Sequence, residues 1–186
     1  YLRGLCKLAH IEDCVEQWQH RAEQDIGLTE YLGLTGEEHK TFLCGGRDAL
    51  AALLEPQRRK QRFVLYQLQL DEENAIPFAF KDITALKAAG YEQPPAAMYY
   101  VAGSGEIYCP AEESDDTLLK RLFADCRERL PEGCRGRPMA VSDVVELNHG
   151  AKRAYYYVSG QDQFRQVKFS PMLAKKEIPE KTQERF

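Results

Sequence analysis

Apolar residues at Leu5, Leu8, Ile11, Val15, Trp18 and Ala22 recur every third or fourth position, which predicts an amphipathic helix at the start of the chain. Thr35-Gly36-Glu37-Glu38 has the form of a capping box and predicts a second helix through Leu43, which Gly45-Gly46 ends. A third helical piece runs from Arg47 to Glu55, with Leu50, Leu53 and Leu54 inward, and Pro56 closes it. Beyond residue 62 the period changes. Phe63 to Leu70 is rich in strand formers and stops at the acidic turn of Asp71 to Asn74. Phe80 to Ala89 reads as a helix ended by Gly90. Ala97–Val101 and Glu106–Tyr108 read as two strands joined by a hairpin turn at Gly103-Ser104-Gly105. Ser114 caps a helix whose inner face is Leu118, Leu119, Leu122, Phe123, Cys126 and Leu130. The last third alternates: a strand led by Val141, Val144, Val145 and Leu147, a second over Arg153–Val158 and a third over Gln163–Phe169 form an antiparallel meander.

These elements predict an α+β fold: an antiparallel sheet domain with packed helices, preceded by a small helical subdomain. The expected organisation is a helical N-terminal subdomain at residues 1–56, a basic linker at 57–62, the α+β domain at 62–169 and a polar, loosely ordered tail at 170–186. The linker is the run Gln57-Arg58-Arg59-Lys60-Gln61-Arg62, read as a solvated connection, with a nucleic-acid or phosphate contact as the functional alternative.

Composition narrows the functional classes. A chain of 186 residues with 44% hydrophobic residues builds a real core, and a net charge of -4 argues against a general DNA-coating protein. Charge is nonetheless divided unevenly: residues 61–130 are net acidic and 131–186 net basic. Arg135, Arg137, Lys152, Arg153, Arg165 and Lys168 are therefore the candidate partner-binding residues, forming a basic face beside the meander. No apolar stretch is long enough to span a membrane, no secretory signal opens the chain, and a cytoplasmic location is expected.

Candidate chemistry is sparse. The six cysteines are scattered, and reduced thiols are expected. Cys6, His10 and Cys14 share one helical face at four-residue spacing, but a structural zinc site needs four ligands, so no metal and no cofactor is expected. Nothing in the sequence supplies a Cys–His nucleophile with an activating base or an oxyanion donor. Ser142-Asp143 lacks the Gly-x-Ser-x-Gly elbow of a hydrolase and reads as a turn whose side chains satisfy backbone N–H groups. Gly103-Ser104-Gly105 lacks the Lys-Ser/Thr ending of a phosphate loop. In Tyr155-Tyr156-Tyr157, alternation sends one or two rings to the core and leaves at least one exposed to anchor a partner or stack on a base.

One block is more specific. Arg135-Gly136-Arg137-Pro138-Met139-Ala140-Val141-Ser142-Asp143-Val144-Val145, the strand Ala154 to Val158 and the closing Phe164 to Phe169 resemble the YodL-like domain. So do the strand Val64–Leu68 and the Phe80–Gly90 helix, and the resemblance covers residues 62–169. Ser159-Gly160-Gln161-Asp162 departs from the family's Asp-Ser-x-Gly turn, and Gln163 replaces the glycine before the phenylalanine. The family carries no established catalytic residues to transfer. Its members occur in Gram-positive bacteria, often on phages and conjugative elements, where small proteins counter restriction or CRISPR defence.

The resemblance implies a non-enzymatic accessory binding protein of a mobile element. The expected partner is a host protein, such as a CRISPR effector nuclease with its guide RNA, inhibited by stoichiometric association. Two alternatives stand beside it: a hydrolase or modifying enzyme using a cysteine or Asp143, and a direct nucleic-acid binder using the basic C-terminal face.

Overall fold

A computed structural model describes residues 7–21, 26–71 and 73–176. They form helices and a five-stranded antiparallel sheet, an α+β fold. By compactness the chain divides into one unit of residues 1–60 with 108–112 and another of 61–107 with 113–186. Among the described residues, no helix is long and apolar enough to cross a membrane.

The first unit holds helices α1 (Ile11–Gln19), α2 (Leu28–Leu32) and α3 (Gly36–Leu54). Ile11, Leu50 and Leu54 are buried together, with Leu8, Leu32, Leu34 and Phe42 packed against them. The stripe that predicted α1 supplies Leu8 and Ile11 to this cluster, while Leu5 and Ala22 lie outside the described residues. The capping box is present: the Thr35 hydroxyl accepts from the Glu38 N–H, and the Glu38 carboxylate accepts from the Thr35 N–H at 2.6 Å. The two helices expected on either side of Gly45-Gly46 are joined through a kink at Gly46, whose φ of 68° no helix accommodates.

The sheet comprises β1 (Arg58–Leu68), β2 (Tyr99–Pro110), β3 (Val144–His149), β4 (Lys152–Gly160) and β5 (Gln163–Val167), in the order β2-β1-β3-β4-β5. Within the second unit, Leu65 faces Val145 across β1 and β3, and Val145 faces Tyr156 across β3 and β4. Alternation along the strands sorts their side chains onto two faces. Tyr66, Leu68, Val144 and Tyr157 join a core with Phe78, Leu86, Ala96, Tyr99, Phe169 and Ala174. The other face carries buried Phe63, Leu65, Val145, Leu147 and Val158. Helix α5 (Asp115–Cys126) lies over it, fixed by the Phe123–Phe164 ring contact at 6.2 Å and by the Asp115 carboxylate, which accepts hydrogen bonds from β3 and β4.

Four expectations need correction. The basic run is not a linker: residues 58–62 are the first half of β1, because the alternating side chains of a strand can carry charge on one side and apolar groups on the other. Gly103-Ser104-Gly105 is not a turn but lies within the single long strand β2. Its glycines answer to close packing. A Cβ on Gly105 would sit 2.7 Å from the Phe63 ring, and one on Gly103 would sit 2.6 Å from the Cys134 Cα. The helix expected from Phe80 starts later, at Ile83 (α4, Ile83–Ala88), where the Asp82 carboxylate caps the Ala85 N–H. Finally, residues 170–176 are not loose. Phe169 packs on Tyr66, Tyr99 and Tyr155, Ala174 is buried, and Lys175 pairs with β2 at Tyr100. Residues 177–186 of the expected tail lie outside the described residues.

Candidate functional site

The densest polar chemistry lies inside the second unit, where the loop before β3 meets β1 and β2. Gln67 is a polar residue at an inward position of an apolar strand, and it is fully buried. Its side-chain carbonyl accepts from the Tyr100 hydroxyl at 3.0 Å and from the Arg137 N–H at 3.2 Å. Its amide donates to the Arg137 carbonyl at 2.8 Å and to Asp143 Oδ2 at 3.3 Å. The loop can approach this closely because residue 136 is glycine: a Cβ there would stand 2.5 Å from Gln67 Oε1, and its φ is 122°.

Arg137 and Asp143 form a two-pronged ion pair with both side chains buried: Nη1 donates to Oδ2 at 2.9 Å and Nη2 to Oδ1. The Ala140 N–H donates to the same carboxylate at 2.9 Å. Burial pushes the Asp143 carboxyl above its ordinary value, against the opposing pull of Arg137, Ala140 and Gln67. The Arg137 guanidinium also stacks 4.8 Å from the ring centre of Phe80.

Ser142 and Phe80 are the two described non-glycine residues with positive φ, at 79° and 58°. They are tied to each other, the Phe80 N–H donating to Ser142 Oγ at 3.1 Å, while the Tyr99 hydroxyl donates to the Ser142 carbonyl at 3.0 Å. Ser142 and Asp143 thus satisfy backbone N–H groups where the chain enters the sheet, as their sequence context predicts. Phe80, half exposed, lines an open groove of about 510 Å³ with Phe123, Met139, Val141, Arg127 and Glu128.

The six candidate partner-binding cations do not form one face. Arg137 is buried in its pair with Asp143. The backbone of Arg135 bonds to Ala102 on β2, at the opposite edge of the sheet from β5. Arg153 lies 3.5 Å from Glu146, a buried carboxylate that also accepts from the Tyr66 hydroxyl at 2.7 Å. Lys152, Arg165 and Lys168 remain exposed on β4, β5 and the segment after them, and hold no ion pair among the described residues.

In the tyrosine triplet, Tyr157 is buried and donates to the Lys81 carbonyl at 2.9 Å, while Tyr155, packed on Phe169, and Tyr156 are partly exposed. Tyr156 donates to Asp115 Oδ2 at 2.6 Å, beside His149 Nε2 at 3.0 Å. Sequence reasoning missed this Asp115–His149–Tyr156 cluster, because strand alternation puts His149 and Tyr156 on one face but does not reveal which helix covers it.

Of the proposed metal trio, Cys6 lies outside the described residues, and among those described no group of three His, Cys, Asp or Glu side chains could hold a metal. Cys14, Cys44, Cys109, Cys126 and Cys134 are unbridged.

Neither the curated proteins nor the solved structures contain a match to this chain. The family model of the YodL-like domain matches residues 62–169, a span that includes β1 from Arg62, all of β2 to β5 and the whole Gln67–Arg137–Asp143 network. Covering more than half of the chain, that match makes this protein a member of the YodL-like domain family.

Proposed function

We propose that the protein acts by stoichiometric association with another macromolecule, through the exposed cations of β4, β5 and the segment that follows. The observation that carries this reading is a separation of polar groups. The motif residues Arg137, Ser142 and Asp143 turn inward and bond to one another and to the fold, whereas Lys152, Arg165 and Lys168 are exposed and hold no ion pair among the described residues. Asp143, the carboxylate an enzymatic reading would use, has no exposed surface and accepts from Arg137, Ala140 and Gln67. A chain that is acidic overall but carries exposed cations in its net basic C-terminal part suits a charge-complementary protein partner better than indiscriminate nucleic-acid binding.

The setting implied by the family resemblance, phages and conjugative elements, makes a host nuclease the partner to test first, in particular a CRISPR effector carrying its guide RNA. Purified protein is titrated against such a nuclease cleaving its target. The expected result is inhibition that saturates at a fixed molar ratio. Joint reversal of Lys152, Arg165 and Lys168 to glutamate should weaken it and flatten its salt dependence. Inhibition that grows with time at substoichiometric protein would assign turnover instead. No response at any ratio would remove the nuclease from the reading.

A further inference from the structure

The two edges of the sheet are finished differently. At the β2 edge, the Val101 N–H donates to the Lys175 carbonyl and the Lys175 N–H to the Tyr99 carbonyl, both at 2.9 Å, and the Arg135 N–H bonds to Ala102. The first part of that edge is therefore covered by the chain itself. At the β5 edge the orientation of the backbone follows from β4. Val158 turns both its N–H and its carbonyl toward the start of β3, bonding Asp143 and Ser142 at 2.9 Å. Alternation then turns Tyr155 and Tyr157 toward β5, where they face Val167 and Arg165. Phe164 and Gln166 consequently direct their N–H and carbonyl groups away from the sheet, and neither has a backbone partner beyond it among the described residues. Lys168, next in this series, has its N–H taken by the Gln93 side chain at 2.7 Å.

We infer that the β5 edge is a strand-addition site for an extended acidic segment of a partner protein, which rests on the binding reading above and specifies its mode. Open N–H and carbonyl groups on an edge strand form a template for a further strand. Charge selects the occupant. Arg165 stands at the centre of β5, with Lys168 beyond its end and Lys152 on the neighbouring strand. The flanking carboxylates are Asp162 in the preceding turn, which acts on Lys120, and Glu92 beside Gln93. A second copy of this chain is disfavoured. The antiparallel register that uses the outward groups of Phe164 and Gln166 in both copies sets Arg165 opposite Arg165, and like charges directly opposed destabilise a strand pair. A segment with a carboxylate opposite Arg165 gains both the ladder bonds and the ion pair.

The test uses the full chain and a short peptide of alternating glutamate and valine as the probe, followed by backbone amide shifts. Saturable binding with the largest shifts at Phe164 and Gln166 is expected. N-methylation of the peptide backbone should abolish it, and Arg165→Glu should weaken it by about tenfold. Gln166→Pro, which removes an outward N–H and no β4 bond, should block binding, with an unchanged thermal melt showing that the fold is intact. Equal binding of the N-methylated peptide or of a lysine–valine peptide, or shifts centred elsewhere, would overturn the proposal, as would a concentration-dependent dimer lost in Gln166→Pro. If the edge variants leave nuclease inhibition intact while the triple charge reversal removes it, strand addition fails and association stands. Peptide binding at the β5 edge without any nuclease response supports strand addition and removes only the nuclease as the partner.

Discussion

Asp143 and Arg137 show how much of this family's signature is internal. A guanidinium and a carboxylate in a dry interior are stable only as a pair, because either charge alone lacks both water and a counterion. Asp143→Asn should therefore lower the unfolding free energy by about 3–5 kcal/mol, read from urea denaturation, because it leaves Arg137 charged and uncompensated. Replacing both residues with apolar ones of similar volume should cost less than that single change. The protonation of buried groups gives a second outcome. Burial pushes the Cys126 thiol from 9.0 up to about 12 and the Tyr100 hydroxyl from 10.0 up to about 12. Both are raised in the folded state, so the neutral forms are favoured by folding. Their contribution is complete below pH 9.0 and is lost as pH rises toward about 12. The urea midpoint should accordingly fall across that alkaline window.

β1 is the element whose character the residues disguise. Four cations within five positions suggested a connection, yet they open a strand that continues into buried Phe63, Leu65 and Leu68. Partners explain the tolerance: Arg58 stacks on the Tyr108 ring at 3.5 Å, Arg59 donates to Cys109 Sγ at 3.1 Å, and Arg62 lies 3.8 Å from Glu106. A linker would be cut first by trypsin, whereas a hydrogen-bonded strand is protected. The first tryptic cleavage should therefore fall outside Arg58–Arg62, as fragment masses would show. β2 has the matching property that glycine inside a strand makes room for a neighbour. Gly105→Val should drive a side chain into the Phe63 ring and destabilise the fold by about 1–3 kcal/mol in thermal or urea unfolding.

Over the whole molecule, the chain after β5 leaves one edge of the sheet, lays Phe169 against Tyr66, Tyr99 and Tyr155, and reaches the β2 edge at Lys175. Phe169→Ala should lower the unfolding free energy by about 3–5 kcal/mol, because it empties the centre of an aromatic cluster. Truncation of only the residues beyond 176 provides the comparison. The sequence by itself determined the α+β class, the capped helices and the β3–β4–β5 meander. These follow from hydrophobic period, capping residues and turn residues within a few positions of one another. It also carried the YodL-like block, since that identity resides in residue types at fixed spacing. The tertiary structure alone decided which cations are free. Arg137, Arg153 and Arg165 are equivalent as letters, but one is buried against Asp143, one is drawn to a buried Glu146, and one stands on an open edge. It likewise decided that Gln67 rather than a loop residue organises the network, and that the first part of the β2 edge is covered by the chain itself while Phe164 and Gln166 on β5 keep open backbone groups. Long-range partners such as Gln67 with Arg137, or Tyr100 with Lys175, arise from packing between distant segments, and no local pattern of hydrophobicity or charge encodes them.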